Sequence, residues 1–177
     1  MNARSPENVK GRQQGFTLIE LVVVIIIIAI LAATLMPRFA ELAGNSHRAN
    51  VEGAGGALAS AVVLVRAQWT SNGATGAVED LTGFGKDNVD VSSEGWPVST
   101  GGETNPGSIT TQSCVELWKA LLQSNAPTVS ADPDADTDYT ASVSGESCRY
   151  SYQRGENDHA IEYNPSEGEV LTSIDNP

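Results

Sequence analysis

Leu18 to Met36 is a run of nineteen residues whose only charge is Glu20, and a water-soluble fold has no ordinary place for it. At about 1.5 Å per residue, a helix of that length spans close to the roughly 30 Å hydrocarbon core of a bilayer. The segment therefore reads as a membrane helix. In front of it, residues 1–15 carry Arg4, Lys10 and Arg12 against Glu7 and contain no apolar run, as the charged front of a targeting segment does. An ordinary secretory signal has an apolar region of about 7 to 15 residues followed by a small-residue cleavage site. Here the run is longer, and the small residue, Gly15, precedes it. Cleavage after Gly15 discards the leader, keeps the helix and leaves a free amine on Phe16.

Glu20 is the anomaly, because an ionisable group within an apolar helix costs a few kcal/mol unless it is relieved. One reading has its side chain snorkel to the membrane interface. The other pairs it with a cation from a neighbouring subunit, the new α-amine at Phe16 being the nearest charge the chain itself supplies. Desolvation offsets much of the attraction in such a pair, so it sets register more than it adds stability.

Gly15-Phe16-Thr17-Leu18-Ile19-Glu20, the aliphatic stretch and Pro37 together resemble the N-terminus of a type IV prepilin. The resemblance implies that a prepilin peptidase cuts after Gly15 and N-methylates Phe16, and that Glu20 aids subunit docking. It also implies an α+β type IV pilin fold, a long N-terminal helix packed on a C-terminal antiparallel β-sheet head. The partners it implies are other pilin subunits, in a homopolymer or mixed filament, the peptidase, the inner-membrane assembly machinery, and the membrane before assembly. The precursor would reside in the bacterial inner membrane and the mature chain in an extracellular pilus. Pro37-Arg38-Phe39, Val51-Glu52-Gly53-Ala54-Gly55-Gly56, Val65-Arg66-Ala67-Gln68-Trp69 and Gly95-Trp96-Pro97 are similar to pilins of the mannose-sensitive haemagglutinin (MSHA) system, major or minor. That similarity implies attachment and biofilm formation. A type II secretion pseudopilin and a DNA-uptake pilus subunit share the leader and Glu20 and stand as alternatives. A plain anchored binding domain needs neither Gly15 before Phe16 nor Glu20.

The expected organisation is a leader at 1–15, a helix at 16–70, of which 16–36 is the transmembrane and filament-core part, and a head at 71–177. Pro37 removes one helical hydrogen bond and crowds the preceding turn, which predicts a kink or local melting there. Gly53, Gly55 and Gly56 are a second weak point, or a place for close contact. Val51, Gly55, Leu58, Val62, Val65 and Trp69 recur at helical spacing and mark a stripe facing a core. If residues 16 to 70 are all helical, the rod is about 80 Å long.

Charge separates the parts further. Residues 16–70 are neutral, whereas residues 71–177 hold four basic and eighteen acidic residues, a balance of −14. Such a head faces water, and no direct nucleic-acid contact is expected of it. Loops should dominate its first forty residues, with short strands at 89–91 and 96–98. A short amphipathic helix is expected in CVELWKALLQ, and half-buried strands at 139–143, 148–152, 160–163 and 169–171. Cys114 and Cys148 are the only cysteines. An exported chain meets an oxidising compartment, so a disulfide between them is the leading reading, and the family resemblance agrees.

Asp132, Asp134, Asp136 and Asp138 alternate as carboxylate ligands of Ca²⁺ do, but the EF-hand glycine and terminal glutamate are missing. A solvated loop is the expected reading, and no metal or cofactor is assigned. His47 and His159 are dispersed and read as satisfied surface residues. No nucleophile elbow, zinc or P-loop motif occurs, so no enzyme is expected. Trp69, Trp96, Trp118, Tyr150 and Tyr152 read as core or sheet-face aromatics.

Overall fold

The computed structural model describes residues 15–155 and 158–174. Most of the assigned leader, residues 1–14, lies outside them. Helix α1 is Leu18–Ser71, and it runs through Pro37 without a break. The local melting expected before Pro37 is therefore not seen; a proline inside a helix deprives only one carbonyl, here that of Ala33, of its N–H partner. The chain divides after Leu42 into two units, each with its own character.

In the first unit the large apolar side chains from Phe16 to Leu42 are exposed, from 38% at Val22 to 89% at Phe16. An 18-residue window of α1 has mean hydropathy 3.1 and no burial, long and apolar enough to cross a membrane. Thr34 folds its hydroxyl back onto the carbonyl of Leu31 at 2.9 Å, so the only hydroxyl between Leu18 and Met36 is satisfied within the helix.

The second unit holds the rest of α1 and the elements that follow it: β1 (Asp90–Val91), β2 (Pro97–Ser99), α2 (Thr111–Leu121), β3 (Val129–Ser130), β4 (Tyr139–Ser144), β5 (Ser147–Tyr152), β6 (Ala160–Asn164) and β7 (Glu169–Ser173). β1 and β2 form an antiparallel pair, and the others a five-stranded sheet in the order β3-β4-β5-β6-β7. From β4 to β7 every pairing is antiparallel, but β3 pairs with β4 in parallel. The head sheet is thus mixed at one edge rather than wholly antiparallel. A two-residue strand cannot display the period-two alternation by which strands are recognised.

Strands β4 to β6 alternate as expected: Tyr139 and Ala141, Cys148 and Tyr150, Ile161 and Tyr163 are buried. They share one core with Val51, Ala54, Leu58, Ala61, Val62 and Val65 of α1 and with Cys114, Val115, Leu117, Trp118 and Leu121 of α2. Fully burying an aliphatic side chain such as Leu58 contributes about 1.5–3 kcal/mol. Gly55 belongs to the stripe for a steric reason, because a Cβ there would collide with Thr172 of β7. The Thr172 hydroxyl takes the space that a side chain at position 55 would fill.

α2 begins three residues before the expected run. Thr110 accepts from the Ser113 N–H at 3.1 Å while the Ser113 hydroxyl accepts from the Thr110 N–H at 2.8 Å, a capping box with serine in place of the usual Glu or Gln. The loop-rich tract before it is ordered by Asp90. This fully buried carboxylate accepts from the Ser99 hydroxyl at 2.6 Å and from the N–H groups of Gly102 and Asp80 at 2.7 and 3.0 Å.

Candidate functional site at the start of the first helix

Gly15, Phe16 and Thr17 precede α1 and are exposed. Thr17 sits at the N-cap position, and its carbonyl accepts the first helical hydrogen bond from Leu21 at 3.2 Å. Its hydroxyl and its N–H both donate to one oxygen of Glu20, Oε2, at 2.7 and 2.9 Å. In return the Thr17 hydroxyl accepts from the Glu20 N–H at 3.3 Å. This is a Thr-x-x-Glu capping box, which satisfies donors the helix would otherwise orphan and places a carboxylate against the positive end of the helix dipole. Oε1 of Glu20 makes no hydrogen bond among the described residues. One oxygen is therefore used within the chain, and the other is open to an outside donor.

The arrangement gives the anomalous glutamate a local reason that residue spacing alone did not supply. The Thr17 to Glu20 signature precedes the apolar run in plain view. It is easily overlooked because the apolar run draws attention to the helix interior rather than to its first turn.

The remaining candidate residues lie in the second unit. Cys114 and Cys148 form a disulfide with Cα atoms 5.6 Å apart, tying α2 to β5. Trp118 packs between Tyr139 and Tyr150 at ring separations of 5.0 and 4.7 Å. The Tyr150 hydroxyl donates to the Cys114 carbonyl at 2.9 Å, and burial pushes its ionisation well above the ordinary range.

Arg154 engages the aspartate loop, pairing with both Asp136 and Asp138. Burial acts to raise the Asp138 pKa, but the Thr128 hydroxyl and N–H at 2.7 and 2.8 Å, together with Arg154, outweigh it and hold the carboxyl below its ordinary value. Asp132 accepts from the Asp134 N–H at 3.0 Å in a local turn. Among the described residues no three His, Cys, Asp or Glu side chains converge as a metal site.

His47 meets the Tyr152 hydroxyl at 2.9 Å. His159 is 2% exposed, which corrects its expected surface position; its carbonyl accepts from the Tyr152 N–H where β6 begins. The motifs around Arg66 and Trp96 meet each other. The Arg66 guanidinium lies 4.1 Å from the Trp96 ring centre, Trp69 donates to the Gly76 carbonyl at 2.9 Å, and Gly95, at φ +80°, leaves room for the Trp69 ring. These residues join the end of α1 to the β1–β2 pair.

The chain thus begins its first helix with Gly15-Phe16, a Thr17–Glu20 cap and an exposed apolar run. Residues 10–36 match the family described as the prokaryotic N-terminal methylation motif. The chain is also 46% identical over 57 residues to the type IV narrow pilus major component PilA5 of Thermus thermophilus. That stretch is 32% of this chain and 49% of the relative, so the match spans about half of the relative's length. No solved structure matches the chain. The long N-terminal helix followed by a sheet is consistent with an α+β type IV pilin fold.

Proposed function

We propose that this chain is a structural subunit of a type IV pilus and not an enzyme. The observation that carries the reading is the exposed apolar side chains from Phe16 to Leu42. Exposed apolar surface of this extent needs lipid or another apolar partner. Before assembly the bilayer covers it. In the filament, copies of the same helix do, in a head-to-tail helical polymer.

Prepilin peptidase cuts after Gly15 and methylates the amine of Phe16. The free Oε1 of Glu20 then accepts from that amine on an adjacent subunit, which fixes the axial offset, while Thr17 holds Oε2. Pro37 is the place where α1 bends to suit its neighbours. In domain terms, residues 1–15 are the leader, 16–70 the helix and 71–177 the head. Partners are other pilin subunits, the peptidase and the inner-membrane assembly machinery, and the location changes from inner membrane to cell surface.

The finer assignment is an MSHA-like pilus for attachment and biofilm formation. It rests on the resemblance of the Val65–Trp69 and Gly95–Pro97 motifs to pilins of that system; in this chain the two segments pack together, Arg66 over Trp96 and Gly95 beside Trp69. A type II secretion pseudopilin would be expected, by resemblance to that family, to carry a calcium-binding C-terminal loop and no such cysteine pair; here Arg154 pairs with Asp136 and Asp138 and the two cysteines are joined, so that reading has less support. Electron microscopy of sheared surface fibres, with mass spectrometry of their subunits, tests the proposal. Fibres containing this chain with N-methylated Phe16 at its start are expected; bare cells with the mature chain confined to the membrane would refute it.

A further inference from the structure

Aromatic rings form a continuous run through the second unit. Ring centres lie 4.7 Å apart for Tyr150 and Trp118, 5.0 Å for Trp118 and Tyr139, 5.3 Å for Tyr139 and Tyr152, and 5.6 Å for Tyr152 and His47 of α1. The run starts in the core, where Tyr150 and Tyr139 are fully buried and Trp118 is 1% exposed. It ends at the surface, since Tyr152 and His47 are both half-buried. Packing accounts for rings at such spacings. It does not account for the difference in what their polar atoms meet.

The Trp118 Nε1–H donates to the Pro127 carbonyl at 2.9 Å, and the Tyr150 hydroxyl donates to the Cys114 carbonyl at 2.9 Å. The Tyr139 hydroxyl has no hydrogen-bond partner among the described residues. Tyr163, the remaining tyrosine, is buried too and donates to the Pro97 carbonyl at 2.7 Å. A peptide carbonyl accepts a hydrogen bond but does not take up the proton. Among the described residues only Tyr152 has its hydroxyl against a side chain that does, 2.9 Å from Nδ1 of His47. A neutral imidazole protonated on Nε2 accepts at that nitrogen, within the reach a base needs.

The distinction matters for one reaction. A phenol or indole that loses an electron becomes a strong acid, and its radical persists only where the proton has somewhere to go. We propose that Tyr152 and His47 form a redox-active pair at which one-electron oxidation of the head comes to rest. An outside one-electron oxidant, an oxygen-centred radical or an oxidised metal complex, accepts one electron. The Tyr152 O–H bond breaks and an N–H bond forms at Nδ1 of His47, leaving a neutral tyrosyl radical, an imidazolium and the reduced oxidant. When the electron is lost first from Trp118, one from Tyr152 replaces it through the intervening Tyr139 ring, and the same radical and imidazolium form. A small thiolate then gives an electron back to Tyr152, itself becoming a thiyl radical, and His47 returns the proton. The pair thereby keeps oxidation away from the core around Trp118.

The detergent-solubilised full chain tests this when oxidised by a flash-generated ruthenium polypyridyl complex, with the radical identified by EPR and placed by a nitroxide trap and peptide mass spectrometry. Wild type should trap a neutral tyrosyl radical at Tyr152 and keep Trp118 intact. His47→Gln retains a hydrogen-bonding side chain beside the half-buried tyrosine but removes the base. Its tyrosyl yield at Tyr152 should fall at least tenfold and oxidised Trp118 should rise at least fivefold, with the disulfide closed and melting close to wild type. Tyr152→Phe should raise Trp118 oxidation by a similar factor. A wild-type radical trapped mainly on Trp118, Tyr139 or Tyr150 would overturn the proposal. So would an unchanged tyrosyl yield in His47→Gln, which would make exposure rather than the base the reason Tyr152 is oxidised. Equal loss of Trp118 in all three chains would overturn the protective route.

Discussion

Between Phe16 and Leu42 the large apolar side chains of the first unit face outward, whereas Leu58, Val62, Trp118, Tyr150 and Ile161 in the second are completely buried. Similar residue types serve opposite ends. In the second unit apolar burial is intramolecular, helped by a disulfide and by hydrogen-bonded carboxylates such as Asp90. In the first it is deferred to lipid or to other chains, so its stability depends on concentration and surroundings rather than on the chain alone. The two parts should consequently fail in different ways when altered.

Gly15→Leu should separate them most sharply. A Cβ at Gly15 would meet no atom within 4 Å, so a larger side chain creates no clash with the described residues, and any defect belongs to the peptidase. Immunoblots should show only uncut precursor and microscopy no fibres; normal maturation would contradict the cleavage assignment. Next in size are substitutions at Glu20. Glu20→Ala loses the bonds from the Thr17 hydroxyl and N–H and also the charge, whereas Glu20→Gln keeps an acceptor for Thr17 and loses only the charge. Both should be processed yet yield at least tenfold fewer fibres. Abundant fibres from Glu20→Gln would reduce Glu20 to a helix cap.

What could be read from the chain before its structure divides along similar lines. The apolar run was legible from its length, and the α1 stripe and strands β4 to β6 because each repeats a period over enough residues to be seen; β7 followed from the turn at Asn164 to Gly168 that precedes it. β3 was not legible, since two residues carry no period, and the start of α2 was hidden by a serine doing the work expected of Glu or Gln at Ser113. His159 looked like a surface residue beside Asp158, and only the β5–β6 pairing shows it inside. For Glu20 the charge was conspicuous and its partner Thr17 was not. The buried Tyr139 hydroxyl, unpaired among the described residues, had no local signal at all, because that is a property of everything packed around it.

Removing the staple should harm only the second unit. By the chain-entropy relation, a bond closing a loop with a sequence separation of 34 stabilises by about 3.5–4 kcal/mol. Cys148→Ser should therefore lower the denaturation midpoint of the detergent-solubilised chain substantially, while cleavage after Gly15 and membrane insertion continue. An unchanged midpoint would mean that the aromatic packing around Trp118, rather than the bond, holds α2 to the sheet.

The smallest expected effect concerns pH and Asp138. Its folded pKa lies below the unfolded carboxylate value of about 3.9, because the Thr128 bonds and Arg154 together outweigh the effect of burial. A depressed folded pKa contributes stability that is present above the unfolded value and lost as pH falls through the folded one. The side chain is a third exposed, so solvent screening keeps this contribution to a fraction of a kcal/mol, at most about 1. Asp138→Asn should melt slightly below wild type near neutrality, and the two curves should converge in acid beneath the folded pKa. The same substitution should leave leader cleavage after Gly15 untouched. A gap that widens toward low pH would show that Asp138 is buried at a net cost, and that Arg154 relieves the carboxylate rather than anchoring the loop.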